Sequence, residues 1–463
     1  MKRRNRTLAL LALGAFVTTL DNTIVAAGAP SIARELTLDL GALQWIALGY
    51  MLPFAGLLPV AGTMIDRWGR RPALTAALSA FGFGAVAGGL AASAWLLVAA
   101  RVLQGVAAAF LVPGLLSLLR TNLDARGRTL GAAVWTACLA AALALGPALG
   151  GVLSEYLGWA WIFFVNLPFV AAMLVLLPGT VPPGGGAATR APPPSAMILV
   201  TASLVLLTTA LAVPRARIPL LAAGTALVVA FLVRERRAAD RLIPAALTGN
   251  PVFLGSLGLQ LLWGLGISGI FFFTPLLHQE FLGLGPAGAG LPLVLVAVAV
   301  VAATPLVPAA AARHGPLRTV AAGLAVVGAG LLVLAAVNHV PLLWPRVPGM
   351  LLIGAGSAFT VPMTSHALDV VAQRHSGTAS GLLTAARELS SALGVALIGA
   401  VLTSVRAARL EAGAPAGAAL AGGYTAGLLA AAGLTLAGAL LAARVPGTRL
   451  AGNSSPRDKR AVP

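Results

Sequence analysis

Charge is scarce in this chain, and most of it has one sign. Of 463 residues only 10% are Asp, Glu, Lys or Arg, with 31 basic against 13 acidic side chains and a formal charge of +18. Lysine occurs only at Lys2 and Lys459. A phosphate-cradling loop ends in Gly-Lys-Ser/Thr, so the chain has no such loop and ATP-driven transport is excluded for this polypeptide. Cys138 is the single cysteine, which excludes an intramolecular disulfide and any multi-cysteine metal site. The five histidines form no ligand spacing, and no metal is expected. An integral membrane transferase or protease needs a convergent cluster of acid, base or ligand groups. The few carboxylates here are scattered among basic loops, so no enzyme is expected. Basic residues lie in short clusters between apolar segments rather than along one polar face, which argues for topology signals and against nucleic-acid binding.

What the chain has is apolar length. Hydrophobic residues make up 59% and the mean hydropathy is +0.93, outside the range of soluble domains. About 20 apolar residues span the hydrocarbon of a bilayer, and such stretches recur from Leu8 to Ala443. They are continuous rather than alternating, which excludes an outer-membrane barrel and leaves an all-α integral membrane fold. The start, Met1-Lys2-Arg3-Arg4-Asn5-Arg6, resembles a signal-peptide head, but apolar sequence runs on to about Ile32 and reads as a retained first helix. Charges, prolines and glycines delimit helices near 8–32, 43–65, 72–92, 95–119, 129–153 and 160–178, then a Gly/Pro-rich break at Pro178–Pro194. Further helices lie near 196–213, 218–234, 253–277, 287–311, 317–337, 342–366, 378–404 and 422–443, giving fourteen in all.

Basic loops test that count, because cytoplasmic loops carry the excess of arginine. With the N-terminus in the cytoplasm, Arg67, Arg70, Arg71, Arg120, Arg126, Arg128, Arg190, Arg234, Arg236, Arg237, Arg241, Arg313, Arg318, Arg374 and the basic tail fall inside. Arg34, the pair Arg215 and Arg217, Arg346, and the pair Arg406 and Arg409 are left outside, and the two pairs are the weak points of the scheme. Both termini are then cytoplasmic, in a multi-pass protein of the cytoplasmic (inner) membrane. Internal repetition is the next signal. The loop Gly62 to Arg71 and the loop Ala312 to Arg318 both hold Arg-x-Gly followed by further arginine. Aligning them yields a six-helix bundle over 1–180, a linker and inserted two-helix segment over 181–245, a second six-helix bundle over 246–445, and a disordered tail over 446–463.

Six stretches carry a family likeness. These are Leu20-Asp21-Asn22-Thr23-Ile24-Val25 with Pro30, the loop Gly62 to Arg71, Arg101-Val-Leu-Gln104-Gly105, Gly146-Pro147-Ala-Leu-Gly150-Gly151, Trp161 to Pro168, and Gly377 through Gly381 and Arg387 to Gly394. In this order they resemble the major facilitator superfamily, and within it the fourteen-helix drug:proton antiporter branch, over nearly the whole chain. The resemblance implies two pseudo-symmetric bundles that export small amphipathic compounds of the drug or antibiotic class in exchange for protons by alternating access. It implies a small-molecule substrate, protons and the lipid bilayer as partners, a monomer, and no cofactor beyond the proton gradient. An importer, or an exporter of amino acids or siderophores, has the same fold, since fold does not fix direction. The resemblance of the fifth-helix stretch to exporters favours export.

Individual residues have physical readings beside the likeness. Asp21 lies deep in the first helix, where an unpaired charge costs at least about 2.5 kcal/mol, so it needs a partner or a proton. Arg101, inside the fourth helix, carries the same penalty and keeps its charge. The resemblance brings both to a central cavity, in a chamber expected to be water-accessible. A carboxylate beside a guanidinium holds its charge, and separation favours taking up a proton. That couples protonation to conformation; a static ion pair is the alternative. Gly62, Asp66, Arg67, Gly69, Arg70 and Arg71 read as a conformational latch, with Gly62 allowing close helix approach and Arg70 pairing with Asp124, or as topology signals alone. Gly146, Pro147, Gly150 and Gly151 read as a kinked gate or hinge helix, or as a structural kink. Glu388 is either a second proton site or the neutralising partner of Arg387. His278, Gln279 and Glu280 are read as a solvated mouth. Candidates for the cavity are Thr23, Gln44, Trp45, Gln104, Trp135, Gln260, Trp263, Phe272 and Arg387, which would hold flat apolar molecules by stacking and a few hydrogen bonds.

Overall fold

The computed structural model describes residues 2–182, 194–213, 216–238, 241, 243–372 and 376–444. Arg190, Arg215, Arg374, positions 183–193 of the linker and the tail over 446–463 lie outside the described residues. Regular structure is helical throughout the described residues, because a peptide in hydrocarbon must bond its N–H and C=O groups within its own segment. The helices are α1 (Lys2–Glu35), α2 (Leu40–Trp68), α3 (Arg70–Gly89), α4 (Ala94–Asn122), α5 (Ala125–Tyr156), α6 (Trp161–Leu176), α7 (Pro194–Ala212), α8 (Arg217–Arg237), α9 (Pro251–Glu280), α10 (Pro286–His314), α11 (Pro316–Val337), α12 (Trp344–Asp369), α13 (Ser376–Glu411) and α14 (Ala416–Arg444).

Twelve of these are long and apolar enough to cross a membrane, and the protein is a multi-pass membrane protein. The sequence reading expects fourteen crossings. The other two are α6, too short by itself to cross, and α7, 19 residues long over Pro194–Ala212. α6 opens with a separate turn, Trp161–Phe164, ahead of Asn166–Leu176, and prolines flank α7 in the sequence. Prolines also interrupt α10 by a 3₁₀ turn at Thr304–Leu306, and α12 divides into Val347–Ala358 and Pro362–Asp369.

Helix packing follows a repeated scheme. α1 packs on α5 as α9 packs on α13; α2 on α4 as α10 on α12; α3 on α4 as α11 on α12. The two sets meet along two seams, α5 against α10 and α2 against α13. Small residues permit the close approach at both: Gly151 abuts Pro286 and Ala287, and Gly399 abuts Gln44. α7 and α8 pack on each other, and α7 lies on α2 and α13, over one seam only. The two aligned loops also share a backbone. Gly69, between α2 and α3, has φ 90° and ψ 137°, and Gly315, between α10 and α11, has φ 85° and ψ 155°. A side chain rarely adopts such angles, so the shared glycine has a backbone reason.

The two ends of the bundle differ. At the end opposite the N-terminus, hydrogen bonds cross between the sets: Arg34 Nη1 donates to Gln279 Oε1 at 3.2 Å, and Ala287 N to Glu155 Oε2 at 2.8 Å. At the end holding Gly69 and Gly315, described side-chain bonds stay within a set, as when Asn122 Nδ2 donates to Thr180 O at 3.1 Å and Asn250 Nδ2 to Val370 O at 3.1 Å. Closure of the first end corrects the solvated-mouth reading. His278 is fully buried with Nδ1 3.0 Å from Ala289 O, and Gln279 is buried against α1; of the three only Glu280 is exposed. Arg346 likewise is no loop residue: it is buried at the start of α12, with Nη2 donating to Asn338 O at 3.0 Å and to Asn338 Oδ1 at 3.1 Å. Arg406 and Arg409 lie within α13, which runs on to Glu411, into the stretch expected as loop, and Arg217 opens α8.

Candidate functional site: a buried ion pair beside an uncharged cavity

Asp21 on α1 and Arg101 on α4 meet. Arg101 Nη1 donates to Asp21 Oδ2 at 2.5 Å, and both side chains have zero exposure. A buried pair is tolerated only when its remaining lone pairs and protons are also bonded, and here they are largely satisfied. Asp21 Oδ1 accepts from Gln104 Nε2 and from Asn166 Nδ2, each at 2.9 Å. Arg101 Nη1 also donates to Gln104 Oε1 at 3.0 Å, and its Nε to Ile46 O at 3.1 Å. The guanidinium carbon sits 4.5 Å from the centre of the Tyr50 ring, a cation–π contact. Tyr50 Oη is fixed by Thr18 O at 3.2 Å. Helices α1, α2, α4 and α6 thus converge on one dry polar cluster. The expectation of a water-accessible chamber is corrected for this conformation: the pair is sealed, because α6 closes over it through Asn166.

A cavity of about 200 Å³ lies beside this cluster, between the two helix sets. It is lined from α1 by Asn22 and Thr23, from α5 by Leu143 and Pro147, and from α9 by Trp263 and Phe272, with α2, α10, α12 and α13 completing the wall. Helical geometry explains the neighbouring assignments. Successive residues point about 100° apart, so Asp21 faces the ion pair while Asn22 faces the cavity. Of the cavity candidates read from sequence, Thr23, Trp263 and Phe272 line it. Gln104 is instead committed to Asp21. Gln44 is buried against Gly399 in the α2–α13 seam. Trp45 and Trp135 pack in the apolar core. Gln260 is buried beside Ser390, and Arg387 is bonded to Glu388; neither is among the lining residues.

The α5 glycines touch both neighbours. Gly146 abuts Thr23, Gly150 abuts the carbonyl of Ile24, and Gly151 abuts Pro286, while Gly290 of α10 abuts the carbonyl of Pro147. α5 therefore contacts α1 in its own set and α10 across the seam, backbone to backbone. Glu388 is buried and accepts from Arg387 Nη2 at 2.7 Å and Nε at 3.2 Å, with the Arg387 side chain 43% exposed. In the loop from Gly62, a side chain at position 62 would meet nothing within 4 Å. The close helix approach expected there is absent from this conformation, because that end of the seam is parted. Arg67 is exposed, Arg71 is half-buried, and the Asp66 side chain lies outside the described residues. Arg70 Nη1 donates to Thr121 Oγ1 at 3.2 Å. Asp124 caps α5, accepting from Gly127 N at 2.9 Å.

Asn166, Tyr50 and Asn22 were given no role by the sequence reading. An amide or phenol inside an apolar run signals a polar contact, though not its partner. No group of three or more His, Cys, Asp or Glu placed to hold a metal occurs among the described residues.

A sealed charge pair next to an uncharged chamber, between two sets of helices packed alike, defines a membrane transporter of small molecules. The chain matches the Major Facilitator Superfamily over residues 11–395 and belongs to it. It is 31% identical over 406 residues to the multidrug efflux pump LfrA of Mycolicibacterium smegmatis, covering 86% of this chain and 80% of that protein. The puromycin resistance protein pur8 of Streptomyces alboniger is 31% identical over 418 residues, covering 87% and 82%. Tetracenomycin C resistance and export protein of Streptomyces glaucescens is 30% identical over 416 residues, covering 86% and 76%. Among solved structures, a D-xylose-proton symporter superposes with a TM-score of 0.67 at 14% identity, covering 96% and 98%. A bacterial homologue of the lysosomal transporter Spinster, inward-facing and unoccupied, gives 0.67 at 17% identity, covering 95% and 96%. These structures share the fold.

Proposed function

We propose that this protein exports small amphipathic compounds of the drug or antibiotic class across the cytoplasmic membrane in exchange for protons, by alternating access. Support for the substrate class comes from relatives at about 30% identity over most of the chain that are named for multidrug efflux or antibiotic resistance. The observation that carries the mechanism is the dry Asp21–Arg101 pair with Gln104 and Asn166 around it. A proton that neutralises Asp21 removes the reason for Arg101 to stay, and separating α1 from α4 exposes the carboxyl to take that proton. Substrate leaving and proton arriving then share one motion.

In this reading α6 and α7 complete fourteen crossings, as in the fourteen-helix antiporter branch, with bundles over 1–180 and 246–445 and the inserted pair between them. Both termini are cytoplasmic, so the bridged end faces outward and this conformation faces inward. Pro147 and the glycines around it form the gate helix. The loop from Gly62 to Arg71 latches the opposite state, when the α2–α13 seam closes at its inner end. Glu388 neutralises Arg387, the working unit is a monomer, and the proton gradient is the sole driving element, without cofactor. Two measurements test this. Drug susceptibility of a sensitive host with and without the gene reads export, and proton flux in proteoliposomes reads coupling. Asp21→Asn is expected to abolish substrate-dependent proton flux while the protein still inserts; full coupling in that variant removes Asp21 as the carrier.

A further inference from the structure

The repeated packing of the two helix sets makes α2 and α10 counterparts, and their first turns differ. α2 is capped by its own N-cap residue, Asp39, which accepts from Ala42 N at 2.7 Å. α10 begins with Gly285 at the N-cap, which has no side chain to offer, and then Pro286, which has no N–H. The N–H of Ala287, at the second helical position where a cap binds, is taken instead by Glu155 of α5, whose Oε2 accepts it at 2.8 Å across the seam. The glycine has a reason in this contact. Gly285 has φ −64° and ψ 165°, extended angles that any residue adopts, so its backbone does not call for glycine. A Cβ there would lie 2.9 Å from Glu155 Oε2, so glycine leaves the room that the carboxylate occupies. Glu155 itself sits in the last turn of α5, where the dipole of its own helix disfavours an anion, whereas the N-terminus of α10 favours one.

From this we infer that Glu155 is a latch for the outer end: it supplies the N-cap that α10 lacks, and it does so only while the seam between α5 and α10 is closed there. Parting the two helices takes the protein acceptor away from the Ala287 N–H and leaves the carboxylate at the unfavourable end of its own helix, so both sides lose by opening. Its counterpart α2 carries its cap with it in every conformation, because Asp39 belongs to the same chain segment. Arg34 with Gln279 bridges the same end, but that contact joins a guanidinium to a side-chain amide and involves no helix terminus. Glu155 is thus a positioning residue for transport, setting the balance between closed and open at the outer end without touching the ion pair or the cavity.

This inference rests on the alternating-access reading, and one experiment separates the two. With Cys138 replaced by serine, spin labels on Glu35→Cys of α1 and Glu411→Cys of α13, both exposed at the outer end, report by electron–electron double resonance in lipid nanodiscs how much of the protein is open there. Glu155→Ala is expected to raise the ratio of open to closed protein about fivefold, the usual effect of losing a helix cap. Glu155→Gln keeps an acceptor oxygen but loses the charge, and falls between. Gly285→Ser gives α10 its own cap and crowds the carboxylate, so it too favours opening, but adds nothing once Glu155 is alanine. An unchanged ratio in Glu155→Ala overturns the latch, as does a Gly285→Ser shift of equal size with and without Glu155. Gly290→Val serves as a wedge, since its added side chain meets the Pro147 carbonyl across the same seam. Opening by the wedge with no response to Glu155→Ala removes the latch and leaves alternating access standing; no opening in any variant removes both.

Discussion

At the scale of single residues, the ion pair sets what each partner is worth. Asp21 Oδ1 takes two amide donors while Oδ2 takes the guanidinium, all without exposure to solvent. Removing one member of such a pair leaves an uncompensated buried charge and destabilises by about 3–5 kcal/mol, whereas removing both is far milder. Arg101→Ala should therefore lower the unfolding midpoint in detergent markedly, and Asp21→Asn combined with Arg101→Leu should recover most of the loss. A double variant no more stable than Arg101→Ala would mean that the pair contributes by packing, not charge. Asp21 and Arg101 were legible in the sequence because a charge in an apolar run is expensive and demands a purpose. Asn166 and Tyr50 were not, since an amide or phenol is cheaper to bury and nothing in its local sequence names a partner on another helix. Asn22 was hidden by its neighbour: a one-residue step turns the side chain from the ion pair to the cavity, and only coordinates tell which faces which.

At the scale of elements, α5 is held by backbone contact on two sides. Gly150 meets α1 at the Ile24 carbonyl and Gly151 meets α10 at Pro286, so a larger side chain at either must push a helix away. Gly150→Val is expected to separate α1 from α5 and reduce folded yield, because both helices belong to the same set. Gly151→Val acts across the seam, so folded yield should hold while transport falls, by about tenfold or more if the gate moves there. Gly433, where an added side chain meets nothing within 4 Å, supplies the control; Gly433→Ala should keep transport within about twofold. Equal transport loss at 433 and 151 would show that helix flexibility, not the seam, is responsible. The glycine-proline stretch announced a special helix in the sequence, and the Arg-x-Gly match correctly paired Gly69 with Gly315 because a positive φ restricts both positions to glycine. Helix length was less legible. A turn ahead of Asn166 shortens α6, a segment whose hydropathy alone looks like all the others.

At the scale of the whole molecule, one sequence must encode two arrangements, and a single conformation displays half of the contacts. That is why Gly62, read as a site of close helix approach, faces open space here. Extending the antiparallel register that sets Gly399 against Gln44 brings Gly381 on α13 opposite it, and there too an added side chain meets nothing within 4 Å. The opposite end is bridged by Arg34 with Gln279 and by Glu155 with Ala287, so the seam is closed at one end and parted at the other. Alternating access requires these conditions to exchange. With Cys138 replaced by serine, Gly62→Cys and Gly381→Cys give one thiol on each side of the parted end. Resting protein should react slowly with a short bifunctional thiol reagent. Imposing a proton gradient with a transported compound should accelerate cross-linking, and the linked protein should then neither transport nor return to the present conformation until the link is cleaved. Energetically, moving a population from about 1:99 to 99:1 takes roughly 5.5 kcal/mol of differential binding, within reach of a proton and a substrate acting together. Rapid cross-linking at rest, or cross-linking that leaves transport intact, would mean that the inner end of the α2–α13 seam is no moving part.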